Sequence, residues 1–196
     1  MEINDFKVVF LGDSGVGAKT CLINRIVHNT FDLYVSSTNG AYFSWRTIQT
    51  ELGEISLQLW DTIGQEKYRP FAAPFIKKAH CIILGYDVTR RHSFDSIRDF
   101  WYNFVKEKAE RDNILIYLVG NKIDLYLHEQ VTDEEGKSLA NDLNMKFFEV
   151  SAKTGEGIDI LLDDIGNSFI KTFMINKIDI KKSDKIKLTL NKYLNY

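Results

Sequence analysis

Three short runs with no polar face decide the class of this chain: Phe6–Leu11, Cys81–Tyr86 and Ile114–Val119. Runs of this length with apolar residues on both faces (Lys7 is the one charge among them) read as strands buried on both sides, which is the condition of central strands in a parallel sheet. Helical periodicity fills the intervals. Ile97, Phe100, Trp101, Phe104 and Val105 follow i, i+3, i+4, i+7, i+8, which predicts an amphipathic helix over Ser93–Glu110. Thr132 with Glu135 offers a capping box for a helix ending near Leu143, and Ile158, Leu162, Ile165, Phe169 and Phe173 form the stripe of a last long helix. A short helix is expected over Lys19–Val27, and Lys146–Val150 reads as an edge strand. Only Ala41–Thr50 and Ile55–Trp60, joined through Gly53, break the alternation; they read as a hairpin that puts one antiparallel strand at an edge. The expected fold is α/β: a mostly parallel six-stranded sheet with one antiparallel edge strand and helices on both faces.

A length of 196 residues suits a single domain, read here as residues 1–175, followed by a Lys-rich tail over 176–196. A net charge of -2 provides no general basic field, so nucleic acid is not an expected partner. Cys21 and Cys81 lack metal-ligand spacing and read as reduced thiols of a cytoplasmic protein. No leader or membrane-spanning run is visible, and the C-terminus Lys192–Tyr196 has no cysteine to carry a lipid. Prenylation at this C-terminus is therefore not supported, and the tail lysines read as solvated rather than membrane-bound.

Gly12-Asp13-Ser14-Gly15-Val16-Gly17-Ala18-Lys19-Thr20 leaves the first strand and opens the first helix. In that setting backbone N–H groups can wrap phosphates while the helix N-terminus adds a positive dipole. Lys19 would reach the β- and γ-phosphates and the Thr20 hydroxyl would ligate Mg²⁺. The usual loop has glycine directly before the lysine. Here Ala18 intervenes, and because Lys-Thr-Cys-Leu runs on undisturbed, the helix register is expected to follow Lys19 with the extra residue absorbed in the loop.

Two further segments follow apolar strands: Asn121-Lys122-Ile123-Asp124 after Val119, and Ser151-Ala152-Lys153 after Val150. Open α/β sheets bind ligands at such strand ends. A guanine edge presents an N1–H and an amine, both donors, so the Asp124 carboxylate can accept from both and reject adenine. Asn121 can bond N7, the Lys122 stem can lie on the ring, and an amide at Ala152 would meet O6. An ATP-using kinase is disfavoured, because Asp124 is the wrong partner for adenine.

Taken with the phosphate loop, these boxes resemble those of the small GTPases of the Ras superfamily, and most of all the Rab family, over about Phe6 to Phe173. Trp60-Asp61-Thr62-Ile63-Gly64-Gln65-Glu66-Lys67-Tyr68-Arg69 resembles switch II, Ser37–Phe43 resembles switch I, and Tyr86-Asp87-Val88-Thr89 is Rab-like. The resemblance implies a switch that binds GDP and GTP with Mg²⁺, hydrolyses GTP and regulates vesicle traffic. Its phosphate-binding residues would be Gly15, Val16, Gly17, Ala18, Lys19, Thr20, Thr38 and Gly64. Thr20, Thr38 and Asp61 would serve the metal, and Gln65 would orient the attacking water. Phe43, Trp60 and Phe75 match the aromatic triad through which Rab proteins report their state. An exchange factor, a GTPase-activating protein and effectors are the implied partners, acting in the cytoplasm or on an intracellular membrane to which partners recruit the protein.

Four departures touch the phosphate end and the switches: Ala18; Ile63 in place of a small residue; Asn39 in place of an apolar one; and Pro70 with Pro74, the only prolines in the chain. They keep open a second reading, an interaction module on this fold that cycles poorly or not at all. No arginine is evidently placed as an internal finger, so slow intrinsic turnover is expected.

Overall fold

The computed structural model describes residues 5–34, 40–50, 53–62 and 71–174. Six strands form one sheet in the order β2-β3-β1-β4-β5-β6. They are β1 (Asp5–Leu11), β2 (Tyr42–Thr50), β3 (Gly53–Asp61), β4 (Cys81–Asp87), β5 (Leu115–Asn121) and β6 (Lys146–Val150). Only β2, at one edge, runs antiparallel to its neighbour; the pairs β1–β3, β1–β4, β4–β5 and β5–β6 are parallel. This is the mostly parallel α/β sheet that the apolar runs and the lone hairpin imply.

Alternation along the strands feeds two cores. From β1, Phe6, Val8 and Phe10 pack with Leu22, Ile23 and Ile26 of α1 (Thr20–His28) and with Ile158, Leu161, Leu162, Ile165 and Phe169 of α6 (Ile158–Phe169). Val9 and Leu11 point the other way, toward Ile76 of α2 (Ala73–Ile76), Phe94 of α3 (Arg91–Ser96), Val105 of α4 (Tyr102–Lys108) and Leu139 of α5 (Asp133–Asp142). Helices thus cover both faces. α5 starts with the expected capping box: the Glu135 amide donates to Thr132 Oγ1 at 3.3 Å and the Thr132 amide donates to the Glu135 carboxylate at 3.0 Å.

The structure differs from the regular helix expected over Ser93–Glu110. α3 and α4 are joined by a π-helical segment, Ile97–Trp101, and α6 likewise runs on into one, Ile170–Met174. The apolar stripe survives, with Ile97, Trp101 and Val105 fully buried. What periodicity could not show is the wider turn that ends at Trp101, whose indole N–H has a polar partner described below.

At the β6 edge, Lys146 Nζ lies 2.7 and 3.0 Å from the two Asp164 carboxylate oxygens, and Tyr117 OH donates to the same carboxylate at 2.7 Å. Burial alone would raise the Asp164 carboxyl, but the hydrogen bonds from Lys146 and Tyr117 outweigh it and hold the group below the usual range. A depressed folded pKa stabilises the native state above the unfolded value of about 3.9, and that contribution is lost as pH falls through the folded pKa. The half-exposed ion pair is screened. We therefore expect Asp164→Asn to cost about 1–2 kcal/mol, or roughly 3–6 °C in Tm, at pH 7. Denaturant melts of the two proteins from pH 7 to pH 2 should keep their gap down to about pH 4 and converge below it; a gap that stays constant down to pH 2 refutes the assignment.

Candidate functional site

The C-terminal ends of β1, β3, β4, β5 and β6 lie side by side, and each releases a segment of polar residues. From β1 comes the glycine-rich loop. Five successive carbonyls of that loop accept from side chains. Lys19 Nζ donates to Gly12 O at 3.0 Å and Asp13 O at 2.6 Å, Arg90 Nη1 to Ser14 O at 3.2 Å, Lys122 Nζ to Gly15 O at 3.1 Å, and Asn121 Nδ2 to Val16 O at 3.1 Å. Within the loop Gly15 and Gly17 stand at φ +75° and +69°. A Cβ at Gly17 would lie 2.9 Å from Asn121 Nδ2, so a side chain there would press on the amide that holds Val16. A glycine-rich turn that opens a helix, with the buried Lys19 ammonium at its end, suits an anionic phosphate chain. Burial pulls the Lys19 ammonium down to about 8, against Asp61 and Asp13, which raise it.

The loop is also fastened from beneath. The Asp13 carboxylate accepts from Ser96 Oγ at 2.7 Å and from Trp101 Nε1 at 3.0 Å, and all three side chains are buried. The π-helical turn therefore delivers an indole N–H to the phosphate loop, a use of the polar handle of tryptophan inside an otherwise apolar stripe.

Ala18, the extra residue, occupies a single wide turn. The Leu22 amide donates to Gly17 O at 3.2 Å, five residues back, whereas the next bond, Ile23 to Lys19 O at 2.8 Å, spans the ordinary four. α1 starts at Thr20, immediately after Lys19, whose own φ and ψ of -116° and -93° are not helical. The Ala18 methyl is fully buried against Gly85, in the middle of β4; a Cβ at Gly85 would come within 2.3 Å of it. Glycine in a buried central strand costs about 0.5–1 kcal/mol relative to alanine. Here it makes the space that the inserted residue takes.

Thr20 Oγ1 donates to Asp61 Oδ2 at 2.6 Å, joining the start of α1 to the end of β3. A hydroxyl beside a carboxylate is the oxygen donor set a small hard cation requires, with phosphates and water completing the shell. Thr38, Gly64 and Gln65, the other residues named for phosphate, metal and catalysis, lie outside the described residues. So do Asn39, Ile63, Pro70 and the Lys-rich tail.

At the other end, Asn121 is buried and connects three segments. Besides its bond to Val16 O, its Oδ1 accepts from the Ala152 amide at 3.0 Å. Asp124 Oδ1 accepts from Ser151 Oγ at 2.6 Å, and Lys153 Nζ stands 3.7 Å from Asp124 Oδ2. Lys122 holds a left-handed backbone, φ 73°, and its ammonium lies 2.6 Å from the fully buried Asp87 carboxylate. Arg25, on α1, donates from Nε to Ala152 O at 2.9 Å and from Nη2 to Lys153 O at 2.5 Å. Asp87, Arg25 and Arg90 received no role from the sequence, although Asp87 belonged to a recognised box. Charged residues at strand and helix ends are too common for spacing alone to single them out.

Phe43, Trp60 and Phe75 come together as a chain of rings, with centroids 4.9 Å apart for Phe43–Trp60 and 5.5 Å for Trp60–Phe75. Trp45 extends it, edge-on to Phe43 at 4.8 Å, and with Tyr42 it is exposed on the edge strand β2. Tyr42 lies within the stretch read as switch I; Trp45 was missed because in β2 the usual relation of alternation to burial fails: most of its side chains are solvent-facing.

Comparison with known proteins agrees with this geometry. The model of the Ras family matches residues 7–171. The chain is 40% identical over 161 residues to the Ras-related protein SEC4 of Candida albicans, covering 82% of this chain and 75% of that protein. It is 41% identical over 153 residues to the GTP-binding protein ypt2 of Schizosaccharomyces pombe, covering 78% and 75%. With the human Ras-related protein Rab-8B it shares 40% identity over 154 residues, covering 79% and 73%.

Proposed function

The chain belongs to the Ras family of small GTPases and is Rab-like, and from that premise we propose that it is a guanine-nucleotide switch of vesicle traffic. It binds GDP and GTP with Mg²⁺, hydrolyses GTP slowly by itself, and faster, on the order of 10³–10⁵-fold, with an activating protein. The observation that carries this reading is the direct tie between its two halves. Asn121 and Lys122, from the base box, donate to the phosphate-loop carbonyls of Val16 and Gly15. A single ligand with a base at one end and phosphates at the other fits such a frame.

In this mechanism Asp124 accepts from the guanine N1–H and amine, while Asn121, accepting from the Ala152 amide and donating to Val16 O, keeps the two loops in register. Lys19 neutralises the β- and γ-phosphates. Thr20 and Asp61 would hold Mg²⁺, which would supply positive charge against the phosphate oxygens. By resemblance, Thr38 and the Gly64 amide sense the γ-phosphate and Gln65 orients the water. The ring chain Phe43, Trp60, Phe75 and its exposed extension Trp45 would present the state of the switches to effectors. Among the described residues no helix is long and apolar enough to cross a membrane; we propose a cytoplasmic protein that partners bring to a membrane surface.

The five-residue turn at Gly17–Leu22 favours the second reading, a nucleotide-binding module that cycles poorly, because it alters the step from loop to helix beside the γ-phosphate. Both readings are tested on purified protein by denaturing it, identifying the released nucleotide, and following single-turnover GTP cleavage with Mg²⁺. Released GDP or GTP with measurable cleavage supports the switch. Bound nucleotide without cleavage, even with an activating protein, supports the module. No released nucleotide, and no protection of the fold by added GDP, refutes both.

A further inference from the structure

Among the described residues, Arg90 is a loop-holding cation that the nucleotide reading leaves without a task. Its backbone is fixed: the Arg90 amide donates to Asp87 O at 2.9 Å, and its carbonyl accepts from Ser93 N at 2.9 Å and Ser93 Oγ at 2.7 Å. From this firm base at the start of α3 the guanidinium reaches across to the rim of the phosphate loop. There Nη1 bonds Ser14 O, and a Cβ built on Gly15 would meet the same nitrogen at 3.1 Å. The adjacent Arg91 is paired with Asp95 and Glu135, but among the described residues no carboxylate pairs with Arg90. An exposed, uncompensated guanidinium with several donors unused therefore borders the loop that would enclose the β- and γ-phosphates.

Resting on the nucleotide-switch reading, we infer that Arg90 is an arginine supplied in cis to the γ-phosphate, stabilising the charge that develops as the terminal phosphoryl group is transferred. In that step water attacks the γ-phosphorus, the bond to the β–γ bridging oxygen breaks, its electron pair stays with GDP, and the water protons leave on inorganic phosphate and to solvent. A planar fork that exchanges one carbonyl bond for phosphoryl oxygens gains most when charge is greatest. Lysine at this position keeps the charge but loses the fork.

The test compares wild type, Arg90→Ala and Arg90→Lys in three measurements: single-turnover GTP cleavage, GDP dissociation, and capture of fluoroaluminate by the GDP·Mg²⁺ form without an activating protein, read by ¹⁹F NMR. We expect Arg90→Ala to slow cleavage at least tenfold and up to on the order of 10³-fold. It should lose fluoroaluminate capture, with cleavage falling by a much larger factor than GDP dissociation rises, and Arg90→Lys should recover only part of the rate. Unchanged cleavage and capture in Arg90→Ala overturn the inference. So does a GDP dissociation rate that rises in step with the lost cleavage, which marks Arg90 as a fastener of the loop. A wild-type protein that holds no GDP removes the underlying nucleotide reading, and this inference with it; retained GDP with capture intact in the variant removes this inference alone.

Discussion

Replacing Gly85 with alanine is expected to weaken GDP binding by up to about 10²-fold, and deleting Ala18 from that variant is expected to restore it. The new Cβ would collide with the Ala18 methyl, and neither side has room to yield. Gly85 lies in β4, paired with β5 through Val119, and β4 is also bonded to β1. Ala18 lies in a loop that four side-chain donors hold by five carbonyls and that Asp13 fastens to Trp101 and Ser96. Overpacking of a rigid site costs about 1–3 kcal/mol, and most of it should fall on the loop, the less regular of the two partners. At 1.4 kcal/mol per decade the upper end of that range corresponds to about two decades in affinity. Deleting Ala18 alone removes a buried methyl and shortens the wide turn, so this variant should bind at least as well as the parent. The measurement is a double-mutant cycle on GDP dissociation constants, with Tm recorded for all four proteins. Strictly additive effects would show that the two positions do not interact, and a Gly85→Ala protein with unchanged affinity and Tm would contradict the packing outright.

The second large effect concerns the base. With Asp124→Asn, affinity for GDP should fall by about 10³–10⁵-fold, while affinity for xanthosine diphosphate should rise above that of the parent. Guanine offers two donors to the Asp124 carboxylate. An amide accepts from one and confronts the other with its own N–H₂, leaving buried donors unpaired, and a site built around a hydrogen-bonding edge discriminates by factors of this size. Xanthine replaces the guanine amine with a carbonyl, which the new amide can serve. The fold should survive, because the carbonyl oxygen of the substituted amide can still accept from Ser151 Oγ, the bond now made to Asp124 at 2.6 Å. Competition of the two diphosphates for a fluorescent analogue measures the switch. Equal losses for both would mean that Asp124 supports the loop without reading the base.

How much of this was legible in the sequence follows from the range over which each signal acts. Strand runs, helix stripes and the Thr132–Glu135 box are local patterns, and the sheet with its antiparallel edge follows from them. The nucleotide boxes are contiguous too, and each falls at the end of its strand. What escaped joins distant residues without periodicity. Arg25 grips Ala152 from 127 positions away, and Trp101 reaches Asp13 across 88. Trp101 was legible as core and is core; that its one polar atom also fixes the phosphate loop depends on a π-helical turn that hydrophobic spacing averages over. Nothing in the run Cys81–Tyr86 singles out Gly85, since only the fold brings Ala18 against it. Arg90 was passed over for the same reason: its neighbour in the chain is another arginine, and its neighbour in space is Ser14.

The contact between Ala18 and Gly85 also makes changes at the two positions depend on their order. A side chain placed at position 85 while Ala18 is present meets the collision, and so gives a protein poor at holding its ligand. With the Ala18 methyl removed first, the same side chain no longer meets it. The glycine is thus the permissive partner of the pair and the alanine the dependent one.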